Sequence, residues 1–204
     1  MSSFPPEFFE RADDRADDEF YEFDRFVTHI DERAMAAVGA LYERLAVDGR
    51  VLDLMSSWIS HFRSPPHELV VLGMNERELE ANAAASAYVV HDLNVNPHLP
   101  FEDGRFDAAT CCVSVDYLVH PVEVFAEVRR VVAPGGIFVC TFSNRCFPTK
   151  AIRGWLAASE EGRCDIVAEY FRQAGGWNEP TVELCTPPRT FGDPLYAVWS
   201  TKNE

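Results

Sequence analysis

The sequence has few basic residues and no long apolar run. Its 18 lysines and arginines are outnumbered by 33 aspartates and glutamates, which gives a net charge of −15. This charge would repel nucleic acid and anionic membranes, so we expect neither as the main partner. No run of about 18 apolar residues could span a bilayer, and residues 1–10 lack the basic and apolar regions of a secretory signal. A soluble, cytoplasmic protein is therefore expected.

Paired cysteine motifs are absent as well. Six cysteines are scattered along the chain without a C-x-x-C spacing, which argues against a structural zinc site or a redox motif. Cys111 and Cys112 are adjacent in a predicted strand, so their side chains are expected to point to opposite faces of the sheet. We interpret the cysteines as reduced thiols and expect no metal; metal ligation or a catalytic thiol is the less favoured alternative.

Glycine is missing from the turn that follows the first predicted strand. Residues 51–54 form a short apolar strand that contains Asp53, and a turn of small polar residues follows. In nucleotide-binding α/β domains this turn is usually glycine-rich, because the ligand lies against its main chain. Here Met55, Ser57 and Ile59 stand at the alternate positions where glycines are expected. The sequence therefore indicates a nucleotide site whose loop is altered.

Apolar strands and amphipathic helices alternate through most of the chain. We expect strands at residues 51–54, 69–72, 88–91, 106–115, 137–142, 181–185 and 195–201. Helices are expected from Thr28 to about residue 48, and at residues 58–63, 76–85, 121–132, 149–158 and 165–173. This alternation predicts an α/β fold: a Rossmann-like, doubly wound, mostly parallel sheet with helices on both faces. No repeat or low-complexity linker divides the chain, so one compact domain is expected.

Residues 1–47 form a distinct N-terminal segment in this interpretation. The first 24 residues hold nine acids against Arg11 and Arg15, yet aromatic side chains are interleaved with the charges. A purely disordered acidic tail would lack these aromatic residues. We expect an arm that packs across residues 48–204 as a lid or packing segment, and a partly ordered tail is the equally weighted alternative. Thr28 opens the helix of this segment, with Asp31 three residues on as in a capping box.

Two later segments carry a resemblance to a known family. Residues 99–107 read Leu-Pro-Phe-Glu-Asp-Gly-Arg-Phe-Asp, and residues 127–136 read Glu-Val-Arg-Arg-Val-Val-Ala-Pro-Gly-Gly. Following strands that end near Asp53 and Gly73, they resemble segments of class I S-adenosylmethionine-dependent methyltransferases, type 11-like, in a branch with an atypical serine-rich loop. The resemblance covers about residues 48–201. It implies a seven-stranded sheet with an antiparallel final strand, and S-adenosyl-L-methionine bound at the carboxyl ends of strands one to four.

The resemblance also implies which residues would bind this cofactor. Asn75 stands where the family has an acid that binds both ribose hydroxyls, and Asp92 matches the carboxylate that binds the adenine amino group. Asn75 has an about equally weighted alternative role as a helix cap with Glu78 as its partner. The serines of the first loop could likewise bind a carboxylate, cap a helix, or do both. The expected cofactor-binding residues are Asp53, Met55, Ser56, Ser57, Trp58, Asn75, Asp92, Leu93 and Ser114.

Candidate catalytic residues follow from what methyl transfer requires. A nucleophile must lie in line with the sulfonium methyl group, and in some cases a base removes its proton. The candidates near the mouth of the sheet are Asp116, Tyr117, Asn144, Arg145, His29 and His61. For the two histidines and for Trp58 a purely structural role is the more ordinary explanation. No residue is assigned as the base.

Three functional hypotheses stay open at this point. The first is an S-adenosylmethionine-dependent methyltransferase that acts on a small molecule. The second is a protein of the same fold that has lost methyl transfer and serves as a binding or regulatory module, as the missing glycines would suggest. The third is an enzyme that uses the cofactor for other chemistry, or another nucleotide; no G-x-G-x-x-G follows the first strand, which disfavours a nicotinamide enzyme. The oligomeric state is left open.

Overall fold

The computed structural model describes residues 4–187 and 191–204, so the first three residues of the predicted arm lie outside the described residues. Seven strands form a single sheet: β1 Arg50–Leu54, β2 Glu68–Gly73, β3 Ala87–Val90, β4 Phe106–Cys112, β5 Val132–Phe142, β6 Thr181–Leu184 and β7 Tyr196–Thr201. Their order is β3-β2-β1-β4-β5-β7-β6. β1 to β5 pair in parallel, and β7 is antiparallel to both neighbours. The expected mostly parallel sheet with an antiparallel final strand is confirmed.

Helices cover both faces of this sheet. They are α1 Asp17–Tyr21, α2 Glu32–Arg44, α3 Glu76–Glu80, α4 Pro121–Val131, α5 Arg153–Ala157 and α6 Glu160–Ala174, with short 3-10 helices at Pro6–Phe9 and Val115–Tyr117. Side chains of β1 alternate between two buried clusters: Val51 packs with α2, and Leu52 packs in the cluster that holds α4 and α6. Successive strand residues point to opposite faces, so a strand buried on both sides reads as continuously apolar.

Three features differ here from the sequence prediction. Helix α2 begins at Glu32 rather than Thr28, because the Asp31 carboxylate accepts the N–H of Ala34 and caps the helix there. No helix forms at residues 58–63, where His61 has a φ of 33° and Pro65 and Pro66 follow shortly after. Strand β4 ends at Cys112 rather than residue 115, since Val113 turns the backbone to a φ of 49°.

Two further boundaries are set by local hydrogen bonds. Helix α3 stops at Glu80 instead of residue 85, because Asn82 accepts N–H groups from Ala84 and Ala85 in a tight turn. Strand β5 begins at Val132, which pairs with Phe106, rather than at residue 137, and residues 134–136 form an irregularity inside the strand.

The first part of the N-terminal arm is anchored by aromatic packing. The rings of Phe4 and Phe9 lie 5.5 and 6.4 Å from the ring of Tyr170 in α6. Phe8 packs on Gly154 of α5 so closely that a Cβ there would come within 2.2 Å of the Phe8 ring. Phe4, Phe8 and Phe9 of the acidic segment therefore pack against the core.

No helix within residues 4–187 and 191–204 is long and apolar enough to cross a membrane.

Replacing Asp31 by alanine is expected to lower the free energy of unfolding. Its carboxylate caps α2 through Ala34 and also accepts the N–H of Asp193, and these two N–H groups lower its pKa. A lowered pKa means that the stabilisation is present above the unfolded value of 3.8 and is lost as the pH falls. Urea denaturation at neutral and acid pH should show a difference that shrinks in acid. Glu32→Ala, an exposed first-turn change, is the control; an equal effect of both would contradict the prediction.

Candidate functional site

A cavity of ≈ 290 Å³ lies at the carboxyl ends of the parallel strands. Met55 follows β1, Asn75 follows β2, Asp92 follows β3 and Ser114 closely follows β4, and all four line the cavity. Open α/β sheets bind ligands at this edge, where the strand order reverses between β1 and β4. The location that the family resemblance implied is therefore the location of this cavity.

The first loop reaches the cavity through strained backbone. Met55 has a φ of 51°, the left-handed conformation that a glycine adopts without strain. Ile59 is not among the described residues with positive φ, so only the first of the three replaced glycine positions keeps this conformation. Of the five non-glycine residues with positive φ in the described chain, Met55, His29, His61 and Val113 line the cavity. Such strain concentrates at functional sites.

Asp53 fixes the path of this loop. Its side chain is 3% exposed, and its Oδ2 accepts hydrogen bonds of 2.7 Å from the hydroxyls of Ser56 and Ser60. Thr110 of β4 donates to the other oxygen, also at 2.7 Å. Burial raises the pKa of Asp53, and the three hydroxyl donors oppose that shift. The serines that stand in the loop thus tie it to the central strands.

Ser57 and Glu78 link the loop to the N-terminal arm. The Ser57 hydroxyl donates to Glu78 Oε2, and Glu78 Oε1 accepts the backbone N–H of Arg25 at 2.6 Å. Glu78 is 7% exposed, so this acid is buried between the loop, α3 and the arm. The sequence indicated Glu78 only as a capping partner of Asn75, because its contact with Arg25 spans 53 residues of chain.

Asn75 is engaged on both sides of its amide. Its oxygen accepts the N–H of Glu78 at 3.0 Å, as the helix-cap alternative predicted. Its nitrogen donates to the carbonyl of Tyr21 at 3.0 Å and to Asp24 at 3.1 Å. An acid at this position could not donate these two bonds. Asn75 therefore caps α3 and binds the arm at the same time.

Asp92 keeps an open hydrogen-bond acceptor, and Leu93 keeps an open donor. One oxygen of Asp92 accepts the N–H groups of Asn94 and Val95, which closes a local turn. The other carboxylate oxygen and the N–H of Leu93 make no hydrogen bond within the described residues, and both residues line the cavity.

The arm lies along one side of the cavity and is pinned there by charge. Asp17 is 6% exposed and accepts from Arg11 at 2.8 Å and from Asn94 at 2.8 Å, and it pairs with Lys150 at 3.0 Å. Lys150 is 1% exposed and also donates to the carbonyl of Arg15. Buried charges are stable only when paired in this way.

The expected site residues divide into two groups. Among the expected cofactor-binding residues, Trp58 alone is not part of the cavity wall; its Nε1 donates to the carbonyl of Val27 in the arm. Asp116 and Asn144 are also not part of this wall. Asn144 lies by a second, open depression with Asp31 and Asp193. The expected residues that line the cavity are Asp53, Met55, Ser56, Ser57, Asn75, Asp92, Leu93, Ser114, Tyr117, Arg145, His29 and His61.

The titratable groups of the site are shifted mainly by burial. Burial and the neighbouring His29 lower the pKa of His61 to about 4, and burial also lowers the pKa of His29. Both imidazoles are therefore neutral at pH 7. Burial raises the pKa of Tyr117, whose hydroxyl oxygen accepts the N–H of Phe147. Asp116 is 2% exposed, one of its oxygens has no partner, and burial raises its pKa to about 7.

Sequence comparison finds a family model that matches the central region. Residues 57–140 match a family model described as a methyltransferase domain. Over 107 residues the chain is 32% identical to the ubiquinone/menaquinone biosynthesis C-methyltransferase UbiE of Bartonella henselae. That match covers 49% of this chain and 41% of the relative, so the chain spans less than half of the relative's length. The resemblance to S-adenosylmethionine-dependent methyltransferases that the motifs carry is confirmed.

Solved structures of similar fold extend over most of the chain. The 1,6-didemethyltoxoflavin-N1-methyltransferase of Burkholderia thailandensis, solved with 1,6-didemethyltoxoflavin and S-adenosylhomocysteine, has a TM-score of 0.62 at 19% identity, covering 85% of this chain and 80% of that chain. The [4+2]-cyclase SpnF has a TM-score of 0.58 at 15% identity, covering 83% of this chain and 81% of that chain. At these identities the likeness shows the fold alone, and one fold can serve different chemistries.

Replacing Asp116 by asparagine is expected to change the pH dependence of stability. The folded-state pKa is raised from 3.8 to about 7, so the native state holds a proton that the unfolded state releases. Relative to Asp116→Asn, the wild-type free energy of unfolding should therefore fall by on the order of 4 kcal/mol as the pH rises from about 4 to 7. Denaturant titrations across this range measure it. Asp165→Asn, at an exposed position of α6, is the control, and parallel pH profiles for wild type and Asp116→Asn would contradict the prediction.

Proposed function

We propose that this chain, which carries a class I methyltransferase domain, transfers a methyl group from S-adenosyl-L-methionine to a small molecule. The observation that carries the proposal is the cavity at the carboxyl ends of β1 to β4, with the open carboxylate oxygen of Asp92 beside the open N–H of Leu93. The matched methyltransferase domain and the relatives that methylate small molecules support it.

The residues present fit this cofactor at two ends. An adenine edge offers an amino group and a ring nitrogen, which the free acceptor of Asp92 and the free donor of Leu93 would satisfy. In the first loop, the backbone N–H groups of Ser57 and Ile59 make no hydrogen bond within the described residues, and both residues line the cavity. Free N–H groups in a turn suit a carboxylate. Asn75 would accept one ribose hydroxyl through its oxygen, which has a second lone pair.

S-adenosyl-L-methionine supplies an electrophilic methyl group on a sulfonium when it is bound. The chain's own part is to hold the acceptor molecule, exclude water and take a proton. His29 and His61 are neutral, line the cavity and make no hydrogen bond through their rings within the described residues, so they are our candidates for the proton acceptor. Tyr117 and Arg145 would orient the acceptor molecule. For Asp116, Asn144 and Trp58 we propose structural roles, because they do not line the cavity.

The loss-of-activity alternative is not favoured. It requires the side chains that replace glycine to fill the cofactor cavity. Met55 and Ile59 instead line a cavity of ≈ 290 Å³ that persists with the arm in place. Ligand cavities begin at about 300 Å³, so this volume lies at the lower end of their range and the replaced glycine positions do not fill the space.

The arm is proposed to act as a lid over this cavity. Residues 18–29 are held across it by the Asn75 and Glu78 contacts, whereas the preceding residues are anchored by Lys150 and by aromatic packing. The side chains of Phe23, Phe26 and Val27 in this segment are 71%, 51% and 52% exposed, so few packing contacts oppose its opening.

Calorimetry with S-adenosylhomocysteine tests cofactor binding. The wild type should bind, and Asp92→Asn should bind about 10-fold or more weakly, since an N–H₂ group would then face the adenine amino group. The amide oxygen can still accept from Asn94 and Val95, so the turn is preserved. Asp165→Asn is the matched control. Absence of any heat or thermal shift with either S-adenosylmethionine or S-adenosylhomocysteine would rule the proposal out.

The lid is tested by Asn75→Asp. This change removes both bonds that Asn75 donates to the arm and places two acids side by side, since Asp24 is 3.1 Å from the amide nitrogen. We expect faster limited proteolysis within residues 18–29 and tighter binding of S-adenosylhomocysteine. The helix cap is retained, because aspartate caps as well as asparagine. Unchanged proteolysis would mean that the arm is held by other contacts and is no lid at this position.

A further inference from the structure

We propose that Arg25, on the side of the cavity formed by the arm, is an anion subsite. Its guanidinium binds a carboxylate of the ligand. This deepens the proposed function, and it rests on that function only for the identity of the ligand. The geometry that supports it is a guanidinium that faces the cavity between aromatic rings and has no carboxylate partner within the described residues.

Aromatic faces hold the guanidinium of Arg25 in place. Its Cζ lies 4.4 Å from the ring centroid of Phe20 and 5.8 Å from the centroids of both Tyr21 and Phe147. Tyr21 and Phe147 line the cavity together with Arg25 itself. Cation–π contacts orient a guanidinium without using its N–H donors. The side chain is therefore positioned before any ligand binds.

Most donors of this guanidinium remain available. Nη1 of Arg25 donates to the carbonyl of Phe23 at 3.2 Å, and the other side-chain nitrogens make no hydrogen bond within the described residues. From Arg25, the Glu78 carboxylate accepts the backbone N–H and no side-chain N–H. A guanidinium has five N–H donors in a planar fork that matches the two oxygens of a carboxylate. The open donors are therefore suited to an anionic, bidentate partner.

The neighbouring charges favour an anion despite the acidic chain. On this side of the cavity Arg11 and Lys150 share the buried Asp17, so two cations are offset by one acid before Arg25 is counted. Lys150 lies 5.5 Å from the ring of Phe20, the same ring on which Arg25 stacks. Asp13 pairs with Arg15 and is 3.8 Å from Lys150. With Glu78 counted, the cavity-lining charges here are Arg11, Arg25 and Lys150 against Asp17 and Glu78. This small positive balance favours a carboxylate.

Two ligands could supply this carboxylate. One is the amino-acid end of the methyl donor, and the other is an acidic group on the methyl acceptor. The chemistry of recognition is the same in both cases. The two sources are separated by probes that carry or lack the carboxylate.

The test compares three probes by calorimetry on the full chain. S-adenosylhomocysteine carries the amino-acid carboxylate, 5′-methylthioadenosine lacks it, and benzoate presents a carboxylate alone in the presence of either nucleoside. Arg25→Gln removes the charge and the fork, and Arg25→Lys keeps only the charge. The matched control is Arg172→Gln, because Arg172 lies on α6 and pairs with Glu179. Thermal melts of each variant report whether the fold is kept.

If the subsite binds the donor's carboxylate, Arg25→Gln should weaken S-adenosylhomocysteine about 10-fold or more and leave 5′-methylthioadenosine unchanged, with Arg25→Lys between wild type and Arg25→Gln. If it binds the acceptor's carboxylate, both nucleosides should bind as in wild type and benzoate binding should be lost. Equal weakening of both nucleosides, or no change in any of the three probes, overturns the proposal. A wild type that binds benzoate through Arg25 but neither nucleoside would refute the proposed function and leave the subsite standing.

Discussion

The carboxylate of Asp53 is the interaction on which the site depends. It is buried at the end of the central strand β1 and receives hydrogen bonds from two serines of the first loop and from Thr110 of β4. A buried carboxylate without these donors would cost several kcal/mol, so the loop hydroxyls and the strand stabilise one another. The loop can therefore keep a defined path although glycine is absent. Met55 adopts the left-handed backbone that the path requires, and Ser60 takes part from inside the core.

The N-terminal arm contacts this loop through side chains that follow β2, and it forms part of the same site. Glu78 joins the Ser57 hydroxyl to the backbone of Arg25, and Asn75 joins helix α3 to Tyr21. The first loop and the end of β2 are thus linked, because both contact one segment of the arm. An arm that binds the site through its main chain can also place a side chain in the cavity, as Arg25 does. In this protein the cavity wall is completed by sequence that precedes the region matched by the methyltransferase family model.

Much of the fold could be predicted from the sequence, and the reasons are local. Continuous apolar runs marked the strands buried on both faces, and the motifs at residues 99–107 and 127–136 indicated the family. The helix boundaries that were predicted wrongly depend on side-chain contacts that the apolar periodicity does not indicate. Asp31 rather than Thr28 caps α2 because Asp193 approaches it from a distant part of the chain. The predicted helix at residues 58–63 did not form, since Ser60 is drawn to Asp53 instead of following a helical path.

The sequence by itself determined the order of strands and helices and the family resemblance, and it predicted a ligand cavity at the carboxyl ends of the strands, because each depends on periodicity or on motifs of neighbouring residues. Only the tertiary structure decided which side chains share the cavity. Lys150 and Asp17 are 133 positions apart, and Glu78 and Arg25 are 53 apart, yet each pair is in contact. A hydrogen bond or ion pair between such distant residues leaves no pattern in a single sequence. It exists because burial removes water and leaves each group only the partner that the fold brings near.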